Sequence, residues 1–491
     1  MRIQQKLRVY LLFLPLLLFF AEQTEAQYFN FGKNRVNYGN HVWSYIQSKH
    51  FDVYYYEGGA YLARFTADAA EDAYNQITKD FNHEISDRIT IMVYQSHNDF
   101  AVNNAAPLPD NAEEIGGVTE LYKNRVIIPF TGDYADYRRL IHHELTHAVV
   151  NDMFYGGSIQ NVIQNRIQLN IPLWFNEGIA EYQAQGWDTN SDMYVREAIL
   201  TNQLDRIEQL DGYFAYRGGQ SVWDYISEQY GREKIGEIMQ KLRLTRSVES
   251  AFKQATGLSL KELSERWQSS LKKVYWPEVA IREDLNDTGK LLISREKGFL
   301  YTSAAEISPQ GDQMVFISTR DGLFDVFLAR TSDGKVIRRL ANGQDNNRFE
   351  SLKILSPGIA WNAAGTHIAL PAKSKASDVI QVMDVKTRKT KEYRIPDVDA
   401  IISIAWHPKQ DAMAISATKD AQSDLYLLDL KTGEAKNLTN DVFSDLEPEW
   451  APDGSFLVFH SDRGSHTRLA MYQPQNFNMM NHNYAQNDLY K

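Results

Sequence analysis

The sequence predicts a multidomain protein, an α+β domain followed by an all-β propeller, and three observations predict it. Between about residues 40 and 275, β-rich runs mix with long helical stretches, the layout of an α+β fold. After Trp276-Pro277 the helices stop, and charged turns with short strands replace them. From there one turn-and-strand unit recurs four times, its starts 54, 45 and 44 residues apart, a period that suits about four strands per unit, as in a propeller blade.

Taken in order, residues 1–26 read as a secretory signal. Arg2, Lys6 and Arg8 give a positive start, Leu11 to Ala21 is almost wholly apolar, and Thr24-Glu25-Ala26 offers a small-x-small exit. The apolar run falls short of the ~20 residues that span a bilayer. Phe51–Tyr56 and Ile89–Tyr94 read as strands, with a helix from Tyr61 to Phe81 between them. Arg125–Phe130 is a further strand whose proline marks an edge or an end. Helices follow over Tyr137–Met153, Leu173–Gln185, Gly219–Leu242 and Ser259–Lys273.

The repeats begin at Ile307-Ser308-Pro309-Gln310-Gly311, Trp361-Asn362-Ala363-Ala364-Gly365, Trp406-His407-Pro408-Lys409-Gln410 and Trp450-Ala451-Pro452-Asp453-Gly454. An apolar strand follows each, such as Met314–Ile317 or Phe456–Phe459. The expected division is a signal peptide (1–26), an α+β domain (27–275), a linker (276–300), the repeats (301–473) and a polar irregular tail (474–491).

Composition narrows the chemistry. A formal net charge of -11 argues against a nucleic-acid partner, which would call for a basic face. Zero cysteines remove disulfide frameworks, thiolate metal sites and cysteine nucleophiles together. Any metal must be held by His, Asp or Glu.

Three of the twelve histidines lie between 142 and 147, in RRLIHHELTHAVV. His143-Glu144-Leu145-Thr146-His147 is HExxH. On a helix, i and i+4 stand about 40° apart around the axis, so both imidazoles project from one face and can chelate one ion. Glu144, one step on, can lean over a water on that ion, while His142 points about 100° away from His143 and reads as a residue that packs or supports the ligands from behind. The pentapeptide alone is short enough to arise by chance. It is followed, however, by LWFNEGIAEY, in which Glu177 and Glu181 again stand at i and i+4. A carboxylate from Glu177 completes a His₂Glu set that leaves one position open, the mark of a catalytic zinc site. Glu181, on the same face, can bond the free ring nitrogen of a ligand histidine.

HExxH followed by NEGxAEY resembles the glutamate-zincin metallopeptidases, especially the aminopeptidase-N-like and peptidase MA-like group, over roughly residues 40 to 275. The repeats resemble the TolB-like, WD40-like propeller repeat. The first resemblance implies a zincin, thermolysin-like fold with His143, His147 and Glu177 as Zn2+ ligands, Glu144 as general base and Glu181 behind the ligands. It further implies an oxyanion-binding tyrosine in a Tyr-x-Lys-Gly stretch. The nearest match is Tyr216-Arg217-Gly218-Gly219, with Gly218 in the lysine's place, so Tyr216 is the candidate and Tyr213 its rival. The family's Gly-Ala-Met-Glu-Asn strand has a partial counterpart in Gly117-Val118-Thr119-Glu120-Leu121. There Glu120 either grips a substrate amine or belongs to a strand that only pairs with substrate backbone.

The expectation is a periplasmic or secreted zinc peptidase acting on peptide or protein substrates, with a propeller that recruits substrate or an envelope partner and no integral membrane span in the mature chain. The alternative is a noncatalytic envelope assembly protein whose propeller binds partners and whose zincin domain is a scaffold.

Overall fold

The computed structural model describes residues 41–103, 115–121, 123–156, 169–283, 285–320, 324–343, 348–353, 358–375, 377–464 and 477–491. The expected signal peptide lies outside them. Among the described residues no helix is long and apolar enough to cross a membrane.

The first half is built on a five-stranded sheet of β1 (Ser44–Gln47), β2 (Phe51–Tyr55), β3 (Ile89–Tyr94), β4 (Val118–Thr119) and β5 (Val126–Pro129), in the order β1-β2-β3-β5-β4. The three inner strands β2, β3 and β5 are parallel, and both edges are antiparallel. β5 is an inner strand and not an edge, but Pro129 is its last residue, so the missing N–H falls where the ladder ends. Helix α1 (Ala60–Phe81) makes the crossover from β2 to β3, burying Leu62, Phe65, Ala69, Ala73, Ile77 and Phe81 on one stripe.

After the short α2 (His97–Ala101), the long α3 (Tyr134–Tyr155) carries HExxH. It starts where Asp133 accepts the Asp136 N–H and stops at left-handed Gly156. Helix α4 (Leu173–Gln185) then follows, with the expected bounds. Its Trp174 and Phe175 are fully buried against Trp223 and Phe252, and the Trp223 indole donates to Phe175 O at 3.2 Å. That aromatic anchor is why a Trp/Phe pair leads the helix.

Downstream the structure corrects the expected helices. The run Gly219–Leu242 is two helices, α6 (Tyr213–Tyr230) and α7 (Glu233–Thr245), broken at Gly231, whose φ of 90° no helix accommodates. Two further helices, α5 (Thr189–Leu200) and α8 (Val248–Thr256), begin at the caps Asp188 and Ser247, which were not read as helix starts. The last helix, α9 (Leu260–Val279), opens on a Ser259/Glu262 capping box.

The second half is four successive antiparallel sheets, propeller-like in their repetition. Their meanders span residues 302–342, 351–393, 400–437 and 445–490. Where a repeat begins with tryptophan, the indole can reach back to the sheet before it: Trp361 donates to Glu306 O at 3.1 Å and Trp450 to Ala405 O at 3.2 Å. No ladder joins the fourth sheet to the first among the described residues.

Two expected boundaries also change. The stretch 276–300 is not a bare linker, since α9 runs through it to Val279 and Phe299 stacks edge-on against Phe316 and Phe327 of the first sheet. The tail is not irregular throughout, because Asp488–Tyr490 is the third strand of the fourth sheet, paired with Leu457–Ser461.

The halves are packed together. Tyr134 OH donates to Ala421 O at 3.0 Å, Asn98 Nδ2 to Asp378 Oδ1 at 2.8 Å, and Arg138 to Tyr484 OH at 2.9 Å. Ala421, Met479 and Tyr484 are buried within the core of the helical half.

Candidate metal centre

The site is assembled where α3 lies across α4 and α4 lies across α6. The second crossing is a backbone contact: a Cβ on Gly219 would stand 2.2 Å from Trp174 O, and one on Gly178 2.4 Å from the Gly219 carbonyl carbon. Only glycines allow that approach. It carries Tyr216 and Arg217, in the first turn of α6, to the face of α4 that bears Glu177 and Glu181.

His143 Nε2 and His147 Nε2 lie 3.1 Å apart, and Glu177 Oε2 is 3.4 Å from the first and 3.2 Å from the second. Among the described residues these three form the group that could hold a metal ion. A tetrahedral centre with bonds of about 2.0–2.1 Å has ligand-to-ligand edges of about 3.3 Å, so the donor triangle already has the dimensions of one tetrahedral face. The donor set, two imidazoles and one carboxylate with no thiolate, fits zinc chemistry and leaves the fourth vertex free.

His143 Nδ1 lies 3.4 Å from Glu181 Oε1. Glu181 in turn takes Arg217 at 3.1 Å, Gln185 at 3.2 Å and Arg139 at 3.7 Å. Burial works against charge on all of these groups, and proximity overrides it. Contact with Glu177 and Glu181 pushes His143 up to about 10. Against the burial that would raise Glu181, His143 and the two guanidinium groups hold it down to about 2. Glu177 is likewise held well below the usual carboxylate range by the paired imidazoles. The buried carboxylates thus stabilise positive charge at the centre of the triangle.

Glu144, 5% exposed, leaves α3 toward β4, where Thr119 Oγ1 lies 2.6 Å from its Oε2. Tyr216 is half-buried on the same side. Desolvation, with the Glu177, Glu144 and Glu181 charges after it, raises its hydroxyl well above the ordinary value, so it stays a hydrogen-bond donor. Its rival Tyr213 is exposed and accepts from Arg217 Nε at 3.0 Å. The Glu120 carboxylate forms a fork with Arg125, with one arm at 2.9 Å. His142 faces away from the triangle into a cleft of about 790 Å³, walled also by Arg138, Arg139 and Gln185.

Sequence reasoning thus missed Arg139, Arg217 and Thr119. Arg217 had a signal, standing inside the quoted Tyr-Arg-Gly-Gly stretch, and Thr119 stood inside the edge-strand motif. Arg139 is one helical turn before His143, on the side facing Glu181, and nothing local marks it.

Fold and site define a metallopeptidase-like α+β domain with propeller-like sheets attached. Residues 69–273 match the Peptidase MA superfamily and residues 349–487 the TolB beta propeller domain, so the chain joins a Peptidase MA superfamily domain to a TolB-type propeller. A curated relative, the protein TolB homolog of Chlorobium chlorochromatii (strain CaD3), is 27% identical over 153 residues, 31% of this chain and 32% of the relative. The chain thus spans about a third of that relative's length. Among solved structures, the putative TolB from Agrobacterium tumefaciens is similar at 14% identity and a TM-score of 0.28, over 33% of this chain and 56% of that one. TolB from Acinetobacter baumannii is similar at 18% identity and a TM-score of 0.25, over 42% of this chain and 44% of that one.

Proposed function

We propose that the helical half is a zinc-dependent peptidase of the cell envelope or the exterior, and that the TolB-type sheets present protein substrate or a partner to it. One observation carries this reading: two imidazoles and a carboxylate stand 3.1–3.4 Å from one another, with the carboxylate of Glu144 on the next residue after His143.

His143, His147 and Glu177 hold the ion, and Glu181 fixes the ring of His143 from behind. When bound, zinc supplies Lewis acidity, bringing a water's pKa towards ~7 and polarising the scissile carbonyl. Glu144 takes the proton of the attacking water and hands it to the leaving amine nitrogen. Tyr216 donates to the developing oxyanion, a contact of a kind worth about 2.7–4 kcal/mol. With Glu120 engaged by Arg125, β4 lacks the carboxylate that would seize a free α-amine. It is the last strand of its sheet, and its outer edge suits an extended backbone, so we assign bonds in the interior of a chain as the substrate.

The test is elemental analysis of the purified full chain with chelator-sensitive cleavage of a peptide library, run beside Glu144→Gln. The variant is expected to retain zinc and lose hydrolysis. Wild-type rates in Glu144→Gln would remove the assigned base. A zinc-loaded wild-type chain that cleaves nothing would sink the peptidase reading and leave a partner-binding protein.

A further inference from the structure

We infer that Thr119, on the edge strand β4, is the positioning residue for the Glu144 carboxylate, and that Gly117 is the opening that admits it. The inference rests on the peptidase reading above for its kinetic consequence and on geometry for everything else.

Thr119 Oγ1 stands 2.6 Å from Glu144 Oε2 and 2.9 Å from Glu144 O. A hydroxyl carries one proton, and the shorter contact, to the charged oxygen, is the one it serves. On the other side the carboxylate lies against the strand backbone. A Cβ on Gly117 would fall 2.9 Å from Oε1, 3.0 Å from Cγ and 3.1 Å from Cδ of Glu144. Any side chain there meets the acid itself, so residue 117 cannot be enlarged without moving it.

The strand is in turn held in place. It pairs with β5 through Val118↔Ile127 and Thr119↔Val126. Its far end is closed by Glu120 N–H on Arg125 O at 2.8 Å and by the Glu120–Arg125 fork. This gives Glu120 a structural task in place of the substrate contact expected of it: it secures the hairpin that brings Thr119 to the base. A glutamate has three rotatable side-chain bonds, and neither HExxH nor the ligand set specifies where its carboxylate rests. Here a hydroxyl and a bare stretch of backbone select one arrangement, the support that a pre-organised base needs.

The experiment uses the full chain with Thr119→Val, Thr119→Ser and Gly117→Ala. Crystal structures should show Glu144 in one arrangement in wild type and Thr119→Ser, and displaced or split in Thr119→Val and Gly117→Ala. With zinc loaded to the wild-type level, Thr119→Val should lower kcat on the order of tenfold with KM within about twofold, and Thr119→Ser should restore most of it. An unmoved Glu144 in Thr119→Val, or an unchanged kcat in that variant, overturns the assignment. Should the wild-type chain cleave no peptide, the peptidase reading fails, and the crystal structures still decide whether Thr119 holds Glu144.

Discussion

In the helical half, His143, His147, Glu177 and Glu181 turn their charged atoms toward one another around a common point. In three of the four sheets a buried aspartate stands near the start of an inner strand. Asp325 accepts the Gly343 N–H at 3.1 Å, Asp378 the Ile401 N–H at 2.7 Å, and Asp424 the Thr439 hydroxyl at 3.1 Å. Each of these acids accepts from the chain that follows its own sheet, just after the last strand for Asp325 and Asp424 and in the first strand of the next sheet for Asp378. A buried acid satisfied by neighbouring backbone, hydroxyl and cationic groups of the chain itself is architecture, whereas ligands that face each other need a cation brought from outside. The difference teaches which acids to remove to lose function and which to lose the fold.

The largest expected effect is at the convergent site. His147→Ala should lose the metal by elemental analysis and lower hydrolysis about a thousandfold or more. The metal-free variant should nevertheless melt within about 2–4 °C of metal-free wild type, since no sheet or helix depends on that ring. Asp378→Ala should do the reverse. It removes the carboxylate that Lys353 meets at 3.0 Å, that accepts the Ile401 N–H, and that Asn98 Nδ2 reaches at the junction of the halves. Breaking a buried pair on one side costs about 3–5 kcal/mol, to be read by denaturant unfolding, with the metal content of the folded fraction unchanged. Zinc loss in Asp378→Ala without unfolding would erase the distinction. Glu181→Gln comes third: it keeps the shape but drops the charge behind His143, and a competing chelator should find zinc affinity about 10–100-fold weaker.

How much of this was legible follows from how far apart the determining residues are. The two histidines, and separately Glu177 and Glu181, share a helical face by arithmetic on a single turn, so the donor set could be written down from a dozen residues. Arg217 reaches Glu181 only because Gly178 and Gly219 let two helices touch, a contact between distant segments that no local periodicity encodes. The break at Gly231 was hidden because apolar residues resume at helical spacing on both sides of it. In the repeats the turns and first strands were plain. The fourth sheet's third strand was not, although Asp488-Leu489-Tyr490 repeats Asp424-Leu425-Tyr426, because a long polar stretch separates it from the strand it pairs with. Thr119 stands inside the quoted edge-strand stretch, but its hydroxyl meets Glu144 from a segment 25 residues away, a contact that no local pattern encodes.

The smallest expected effect lies where the two halves meet. Burial, with Asp133 and Asp445 nearby, raises Asp462 from 3.8 to about 7. On the neighbouring sheet burial and the charges of Asp420 and Asp99 raise Asp399 to about 6. Asp133 caps the very helix that carries HExxH, so the repulsion acts across the junction. A carboxyl whose folded pKa exceeds its unfolded one favours the folded state while it is neutral. That contribution is complete below about pH 4, declines as pH rises, and is gone above about 7 for Asp462 and about 6 for Asp399. Glu181, held down to about 2, acts below this window, whereas His143, raised from 6.5 to about 10, adds to the fall above pH 6.5, and His142, lowered by burial from 6.5 to about 4, opposes it below pH 6.5. The thermal midpoint of the full chain should therefore fall between pH 5 and pH 8. Asp462→Asn, neutral throughout, should fall less over the same range. An Asp462→Asn slope equal to wild type would mean that this acid is as well satisfied as those capping the other sheets, and that the junction is no different from the interior of either half.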